Sequence, residues 1–341
     1  MNTDVLLPTK ENIDKVGRLL RDGQIAAIPT ETVYGLAANA LDGNSVKNIF
    51  SAKGRPMDNP LIVHISDFSQ IEKFSLVSDI PEKAYMLTEK FWPGPLTIIM
   101  PKGSAVPNEV SAGLDTVAVR LPAHPVARAV IKAADRPLAA PSANTSGSPS
   151  PTSSAHVLHD LNGKIPAILD GGLCEVGVES TVVTLVGDCP TLLRPGGVTL
   201  EQLQTVIGKV NVSDAVLNKL RDGEKAESPG MKYKHYAPKA NLILVRSDDD
   251  KYIKYVNAHS TALVGALCYD EDITELSVKC FPFGKKSDCA EQANRLFDAL
   301  REIDRTNIQT VYGRCPDTHG MAMAVYNRLV RAAGFEVIEL A

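Results

Sequence analysis

Residues Lys53–Leu61 read KGRPMDNPL, a stretch for which neither a packed helix nor a packed strand has an obvious use. Two prolines, one glycine and two cations in nine residues deny the backbone regular hydrogen bonding while concentrating positive charge. Just before it, Ser45–Ala52 carries a short helical pattern, and just after it Leu61–Ile65 is a β-branched run. The stretch is therefore a loop whose Lys and Arg are held by regular structure on both sides. Taken alone it reads as a solvated surface turn; its company along the chain gives it another meaning.

Upstream, Glu11–Asp22 places Ile13, Val16, Leu19 and Leu20 on one helical face and stops at Gly23, a good C-capping residue. Ile25–Ile28 then reads as a short buried strand running into PTETVYGL, Pro29–Leu36, where polar side chains cluster at a strand end. Downstream, strands are expected at Leu61–Ile65, Leu96–Met100, Val117–Leu121, Ala167–Leu169, Thr181–Leu185 and Thr191–Leu193. Helices are expected at Ile80–Phe91, Pro125–Ala134, Thr152–His159 and Thr199–Ile207. Without strict alternation, this mixture favours a mixed sheet over a regular doubly wound one.

Between about residues 208 and 239 the pattern decays into polar sequence and then SPGMKYKHYAPK, Ser228–Lys239. That linker is unusual in interleaving Tyr233, His235 and Tyr236 with Lys232, Lys234 and Lys239. Beyond it, strands at Asn241–Arg246, Ala262–Leu267, Ile308–Tyr312 and Phe335–Leu340 alternate with helices at Asp250–His259, Asp288–Ile303 and Gly320–Ala333. Clean alternation predicts a small parallel α/β domain. A chain of 341 residues suits two such domains.

Composition narrows the function classes. With 36 Lys and Arg against 40 Asp and Glu, the net charge of −4 argues against a surface wholly devoted to nucleic acid. Six cysteines lie scattered with no C-x-x-C pair, which fits reduced thiols in a cytoplasmic protein. The longest apolar run, Ala262–Cys268, is too short to span a bilayer, so no membrane role is expected. There is no G-x-x-x-x-G-K-[ST], and no two glycines stand two residues apart, which rules out G-x-G-x-x-G. H-E-x-x-H and G-x-S-x-G are missing as well. What remains is a series of hydroxyl- and cation-bearing loops at strand ends. Arg55, Arg120 and Arg194 offer forked donors for phosphate or carboxylate, and Ser142, Asn144, Ser146 and Ser150 neutral ones. Together they suggest polyanion binding. Singly, His64 in LIVHI reads as a satisfied core or edge histidine, and Arg120 as a strand-end charge.

In order, PTETVYGL, KGRPMDNPL, WPGPLT (Trp92–Thr97), TVAVRLP (Thr116–Pro122), PSANTSGSPSPT (Pro141–Thr152), STVV (Ser180–Val183) and LRPG (Leu193–Gly196) resemble the motif series of the YrdC-like family. The SPGMKYKHYAP linker resembles the long form of the threonylcarbamoyl-AMP synthases, which adds a C-terminal domain. The resemblance implies a YrdC-like twisted mixed sheet with helices and a concave cleft over residues 1–208. It further implies a linker or lid over the active site at 209–240 and a Rossmann-like parallel α/β domain at 241–341. The implied reaction joins L-threonine, bicarbonate and ATP into threonylcarbamoyl-AMP and pyrophosphate, a nucleotidyl transfer that serves threonylcarbamoyl-adenosine formation in tRNAs reading codons that begin with A. By the same resemblance Thr32, His64, Arg120, Ala140 and Ser180 hold threonine. Arg55, Asn59, Thr116, Ser142, Ser150, Arg194 and Tyr236 hold ATP, and Lys53 and Arg55 stabilise charge during transfer. Mg2+ is expected on the triphosphate, with no metal held by the protein itself. The implied partners are the downstream tRNA threonylcarbamoyltransferase machinery and, weakly, RNA. Glu31, the one acid beside the site, is read as ordering its loop through a hydrogen bond, in slight preference to acting as a general base. Two competitors stand beside this reading: an RNA-binding module that tracks phosphates with Lys and Arg, and the carbamoyltransferase that matures hydrogenases, whose C-x-x-C pairs this chain lacks.

Overall fold

The computed structural model describes residues 2–219 and 236–340; Ser228–His235 of the aromatic and basic linker lies outside the described residues. Those residues form two compact units, the first of residues 2–146, 151–175 and 179–219, the second of residues 147–150, 176–178 and 236–340.

In the first unit, the strands among the described residues are β1 (Asp4–Leu6), β2 (Ala26–Ile28), β3 (Gly35–Asn39), β4 (Ile62–His64), β5 (Leu96–Pro101), β6 (Thr116–Arg120), β7 (Leu138–Ala139), β8 (Ala167–Leu169), β9 (Thr181–Thr184), β10 (Thr191–Arg194) and β11 (Asn211–Val212). They make one mixed sheet in the order β1-β8-β2-β3-β7-β4-β6-β5-β9-β10-β11. Every residue of β2, β3 and β4 is buried, as suits strands covered on both faces. The helix Lys10–Arg21 begins where the Thr9 hydroxyl accepts the Asn12 N–H at 3.3 Å, and buries Val16, Gly17 and Leu20. It packs on the helix Pro125–Ala134 so closely that a Cβ at Gly17 would lie 2.6 Å from the Ala133 Cβ. Glycine is the side chain that crossing tolerates.

Strand β3 replaces part of what the sequence reads as a site loop. Gly-Leu-Ala-Ala-Asn carries no β-branched residue, and its extended form is imposed by pairing with β2 and β7 on either side. Context thus overrides a weak propensity.

The second unit holds a five-stranded, all-parallel sheet of β12 (Asn241–Arg246), β13 (Val264–Cys268), β14 (Lys279–Pro282), β15 (Thr310–Arg314) and β16 (Val337–Glu339), in the order β14-β13-β15-β12-β16. The sequence does not announce β14, whose KCFP ends on a proline; at the sheet edge the missing N–H costs nothing. The short segments 147–150 and 176–178 belong to this unit. Gly177 has φ +78°, and a Cβ there would fall 2.3 Å from the Asn294 Cα.

Candidate functional site

The site forms around two strands that run side by side. In the parallel pair β4–β6, Ile62 lies opposite Ala118 and His64 opposite Arg120. Pleating puts Thr116, Ala118 and Arg120 on one face of β6, with Thr116 and Arg120 about 13 Å apart along the strand. At the far end of this strand, Arg120 is buried and its guanidinium is well occupied. Nε donates to the Gly94 carbonyl at 3.3 Å, Nη1 to the Thr32 hydroxyl at 2.9 Å, and Nη2 to Glu31 Oε1 at 2.6 Å. Thr32 is fixed in turn by the Thr30 hydroxyl, 2.8 Å away.

The Glu31–Arg120 ion pair is buried on both sides, with 5% of the Glu31 and 4% of the Arg120 side chain exposed. Burial alone would push the Glu31 carboxyl up. The adjacent guanidinium and the bond it donates, helped by the amides of Glu31 and Ala123, hold it below the ordinary carboxylate range instead. Its second oxygen, Oε2, is buried and meets no hydrogen-bonding partner among the described residues. His64, beside Arg120 in the sheet, turns Nδ1 toward the Ile62 carbonyl at 3.1 Å. A carbonyl can only accept, so the proton sits on Nδ1, and Nε2 of the neutral ring is left as an acceptor. Burial, reinforced by the Arg120 cation, pushes the His64 pKa down to about 3. Cys174 is also within electrostatic reach of Glu31, and burial pushes its thiol up to about 12.

A second hydroxyl and guanidinium pair is built from β9 and β10. Ser180 precedes β9, and its hydroxyl lies 2.7 Å from the Thr97 hydroxyl and takes a bond from Arg194 Nη2 at 3.1 Å. Arg194 Nε also donates to the Ser180 carbonyl at 3.0 Å. The residue predicted to meet threonine and the residue predicted to meet ATP therefore touch. Ala140 continues β7, and its N–H donates to the Ile62 carbonyl at 3.0 Å.

Lys53 ends the helix Gly43–Lys53, which Gly54 closes in the left-handed conformation at φ 61°. Its ammonium is buried in a cradle of oxygens, donating to the Ser142 carbonyl, to the Asn144 carbonyl at 2.5 Å and to Asn144 Oδ1 at 3.3 Å. The Ser142 hydroxyl bonds Asn144 Oδ1, so a cation of the opening loop organises the serine and asparagine loop 91 residues further on. Asn59, 1% exposed, keeps both amide atoms buried without a hydrogen-bonding partner among the described residues. Arg55 is half-buried, its N–H capping the helix on the Phe50 carbonyl.

The other two predicted ATP residues sit in the second unit. Ser150 is fully buried there, beside Pro149, whose carbonyl accepts from Arg301 Nη2 at 2.5 Å. Tyr236 is buried with φ 65° and its ring 5.1 Å from that of Phe297. A non-glycine residue keeps that backbone only where its surroundings demand it. Sequence reasoning missed Thr97 as the partner of Ser180 and Glu31 as the partner of Arg120. The motif WPGPLT contained the first, but nothing in it distinguishes a bonding hydroxyl from a strand-starting one.

A family model described as "Telomere recombination" (Sua5_yciO_yrdC) matches residues 18–196, and one described as "Threonylcarbamoyl-AMP synthase, C-terminal domain" matches residues 198–334. The Pyrococcus abyssi protein named threonylcarbamoyl-AMP synthase is 45% identical over 98% of this chain and 99% of its own length. The Bacillus subtilis protein of the same name is 45% identical over 98% and 97%. Among solved structures, that of P. abyssi Sua5 complexed with L-threonine is similar with a TM-score of 0.91 at 46% identity, covering 98% of this chain and 97% of that one.

Proposed function

The chain belongs to the threonylcarbamoyl-AMP synthase family, in the form that carries both the Sua5/YciO/YrdC domain and the C-terminal domain, and from that premise we propose which of its residues perform the reaction. The enzyme joins L-threonine, bicarbonate and ATP into threonylcarbamoyl-AMP and pyrophosphate, for threonylcarbamoyl-adenosine modification of tRNA. Threonine's amine takes up carbon dioxide as a carbamate, and a carbamate oxygen displaces pyrophosphate from the α-phosphorus in line. Such a displacement depends on positioning and on stabilising charge.

The threonine subsite is Thr32, His64, Arg120, Ala140 and Ser180. The observation that carries this reading is the buried cluster around Arg120, where Thr32 and Glu31 hold the guanidinium and His64 is its neighbour in the sheet. Its remaining N–H groups suit an α-carboxylate, and the hydroxyls with His64 Nε2 suit a small polar side chain. The ATP subsite is Arg55, Asn59, Thr116, Ser142, Ser150, Arg194 and Tyr236. Thr116 at one end of β6 and Arg120 at the other would give the two substrates opposite ends of one strand. The orphaned amide of Asn59 offers one donor and one acceptor to a ligand. Lys53, from its cradle, and Arg55 counter the charge that develops on phosphate and carbamate.

Mg2+ enters with the triphosphate in this reading. Among the described residues no group of three or more His, Cys, Asp or Glu gathers to hold a metal; in this reading phosphate oxygens ligate the cation. No helix of the described residues is long and apolar enough to cross a membrane, and a cytoplasmic enzyme handing its product to a tRNA threonylcarbamoyltransferase completes the picture. The division into a catalytic domain at 1–208, a linker at 209–240 and a C-terminal domain at 241–341 belongs to the same proposal. Incubating the full chain with ATP, threonine and labelled bicarbonate tests it. Pyrophosphate release and label capture must both require threonine, and release without threonine or bicarbonate overturns the assignment.

A further inference from the structure

The geometry points to Glu31 as the residue that receives the amine of the amino-acid substrate, its free oxygen Oε2 binding the ammonium while its other oxygen holds Arg120. The inference rests on the threonine subsite proposed above and extends it by a contact that none of the other subsite residues supplies.

Glu31 is 4% exposed, and Oε2 lies buried without a hydrogen-bonding partner. A buried carboxylate oxygen left unbonded is costly, so in a working site a donor is expected to reach it. Among the described residues no donor reaches it: the nearest cation, Arg120, turns Nη2 to Oε1 and Nη1 to Thr32. A bound α-amino acid does provide one. In its zwitterionic form a carboxylate and an ammonium sit on one carbon, and the buried pair presents a guanidinium and a carboxylate side by side. Arg120 facing the substrate carboxylate thus brings Glu31 Oε2 to the substrate nitrogen.

The substrate hydroxyl is the rival donor. It has better partners of its own in the Thr32 hydroxyl and His64 Nε2, whereas a carboxylate oxygen gains most from a charged donor. Once the carbamate has formed, its nitrogen keeps one N–H, so the same contact continues to hold the nitrogen while the new oxygens turn to the nucleotide. Glu31 is in this sense both a substrate contact and, through Oε1, a positioning residue for Arg120.

The experiment is calorimetric titration of the full-length protein and of Glu31→Gln, in bicarbonate-free buffer, with three ligands: L-threonine, the matching 2,3-dihydroxybutanoate, which replaces the amine by a hydroxyl, and L-2-aminobutyrate, which lacks the hydroxyl. For the unaltered protein, exchanging the amine should weaken binding about 30-fold, the scale of one charge-assisted hydrogen bond. Glu31→Gln should weaken threonine and aminobutyrate by a similar factor, and dihydroxybutanoate by less than about threefold. The amine comparison on the unaltered protein keeps the inference open to refutation even if the variant does not fold. Equal weakening of all three ligands reduces Glu31 to a support for Arg120 and overturns the inference, as does an unaltered protein indifferent to the amine. A loss that tracks the hydroxyl overturns it too. An unaltered protein that binds none of the three ligands sinks the threonine subsite itself, and this inference with it.

Discussion

Replacing Lys53 by methionine separates two roles that an active-site lysine can have. The side chain keeps most of its volume and loses its three donors. In the structure those donors serve the carbonyls of Ser142 and Asn144 and the Asn144 side chain. A hydrogen bond to a charged group contributes about 1.5–3 kcal/mol, and a carbonyl left buried without one costs about 1–3 kcal/mol. Water can reach part of the vacated cradle, because Ser142 is only half-buried, so the net loss should be about 3 kcal/mol rather than the full sum of these contributions. In a unit of this size that corresponds to a fall in Tm of roughly 6–12 °C. Scanning calorimetry reads the fall, and a pyrophosphate-release assay run well below the melting range reads the chemistry. We expect both to suffer, the second because the loop carrying Ser142 loses its anchor. A variant with Tm within about 2 °C of the parent and no pyrophosphate release would refute the reasoning, since the cradle would then be incidental and the ammonium would serve substrate alone.

Three further outcomes follow from the same geometry. His64 titrates at about 3 in the folded chain against about 6.5 unfolded, so its contribution is complete above about pH 6.5 and is lost as pH falls toward 3, about 2 kcal/mol by pH 5. Urea titrations at pH 7.5 and pH 5 should show His64→Gln losing less stability on acidification than the parent, and equal losses would contradict the assignment. Arg120→Ala strands the Glu31 carboxylate in the interior and should cost about 3–5 kcal/mol, measurable as a shift in the urea midpoint. Arg120→Lys should fall between, because an ammonium cannot reproduce the fork. Gly17→Ala adds a methyl group 2.6 Å from the Ala133 Cβ. Despite alanine's better helix propensity, it should lower Tm through about 1–3 kcal/mol of overpacking, and a rise in Tm would mean that the two helices part freely.

Much of this was legible in the amino acids, for reasons that differ by element. Strands β5 and β9 announce themselves as β-branched runs, and the helices Lys10–Arg21 and Cys289–Ile303 by apolar periodicity. Strand β7, two residues long, and β3, built of Gly, Leu, Ala and Asn, carry no such signal because their neighbours make them strands. The same limit applies to the site. The family resemblance implied that His64 and Arg120 serve one ligand, but their adjacency is a matter of register between strands 56 residues apart. A sequence writes Lys53 as a free cation, while the fold surrounds it with carbonyls. The sequence shows Glu31 only as an acid beside the loops; that it meets Arg120, and with one oxygen, needed coordinates.

The protonation states at the site bear on the chemistry. Among the described residues of the proposed site, a nucleophile or a strong base would have to be His64, Glu31, Cys174 or Lys53. The imidazole is held neutral and weakly basic by burial and by Arg120, and the Glu31 carboxyl is held below its usual range by the same guanidinium. The Cys174 thiol is pushed toward its protonated form, and the Lys53 ammonium is given over to oxygens of the chain. Arg120 thus suppresses basicity on both of its neighbours. What these groups share is a fixed charge or dipole in a dry setting, which is the form of assistance that displacement at phosphorus uses. The two protons lost when threonine's ammonium takes up carbon dioxide to become a carbamate then leave to solvent, and the burden of catalysis falls on holding a carbamate oxygen in line with the α-phosphorus. A site organised in this way tolerates the absence of a catalytic triad, and it should be sensitive to sub-ångström displacement of Arg120, since in the proposed subsite that residue holds the amino acid while setting the charge of its neighbours.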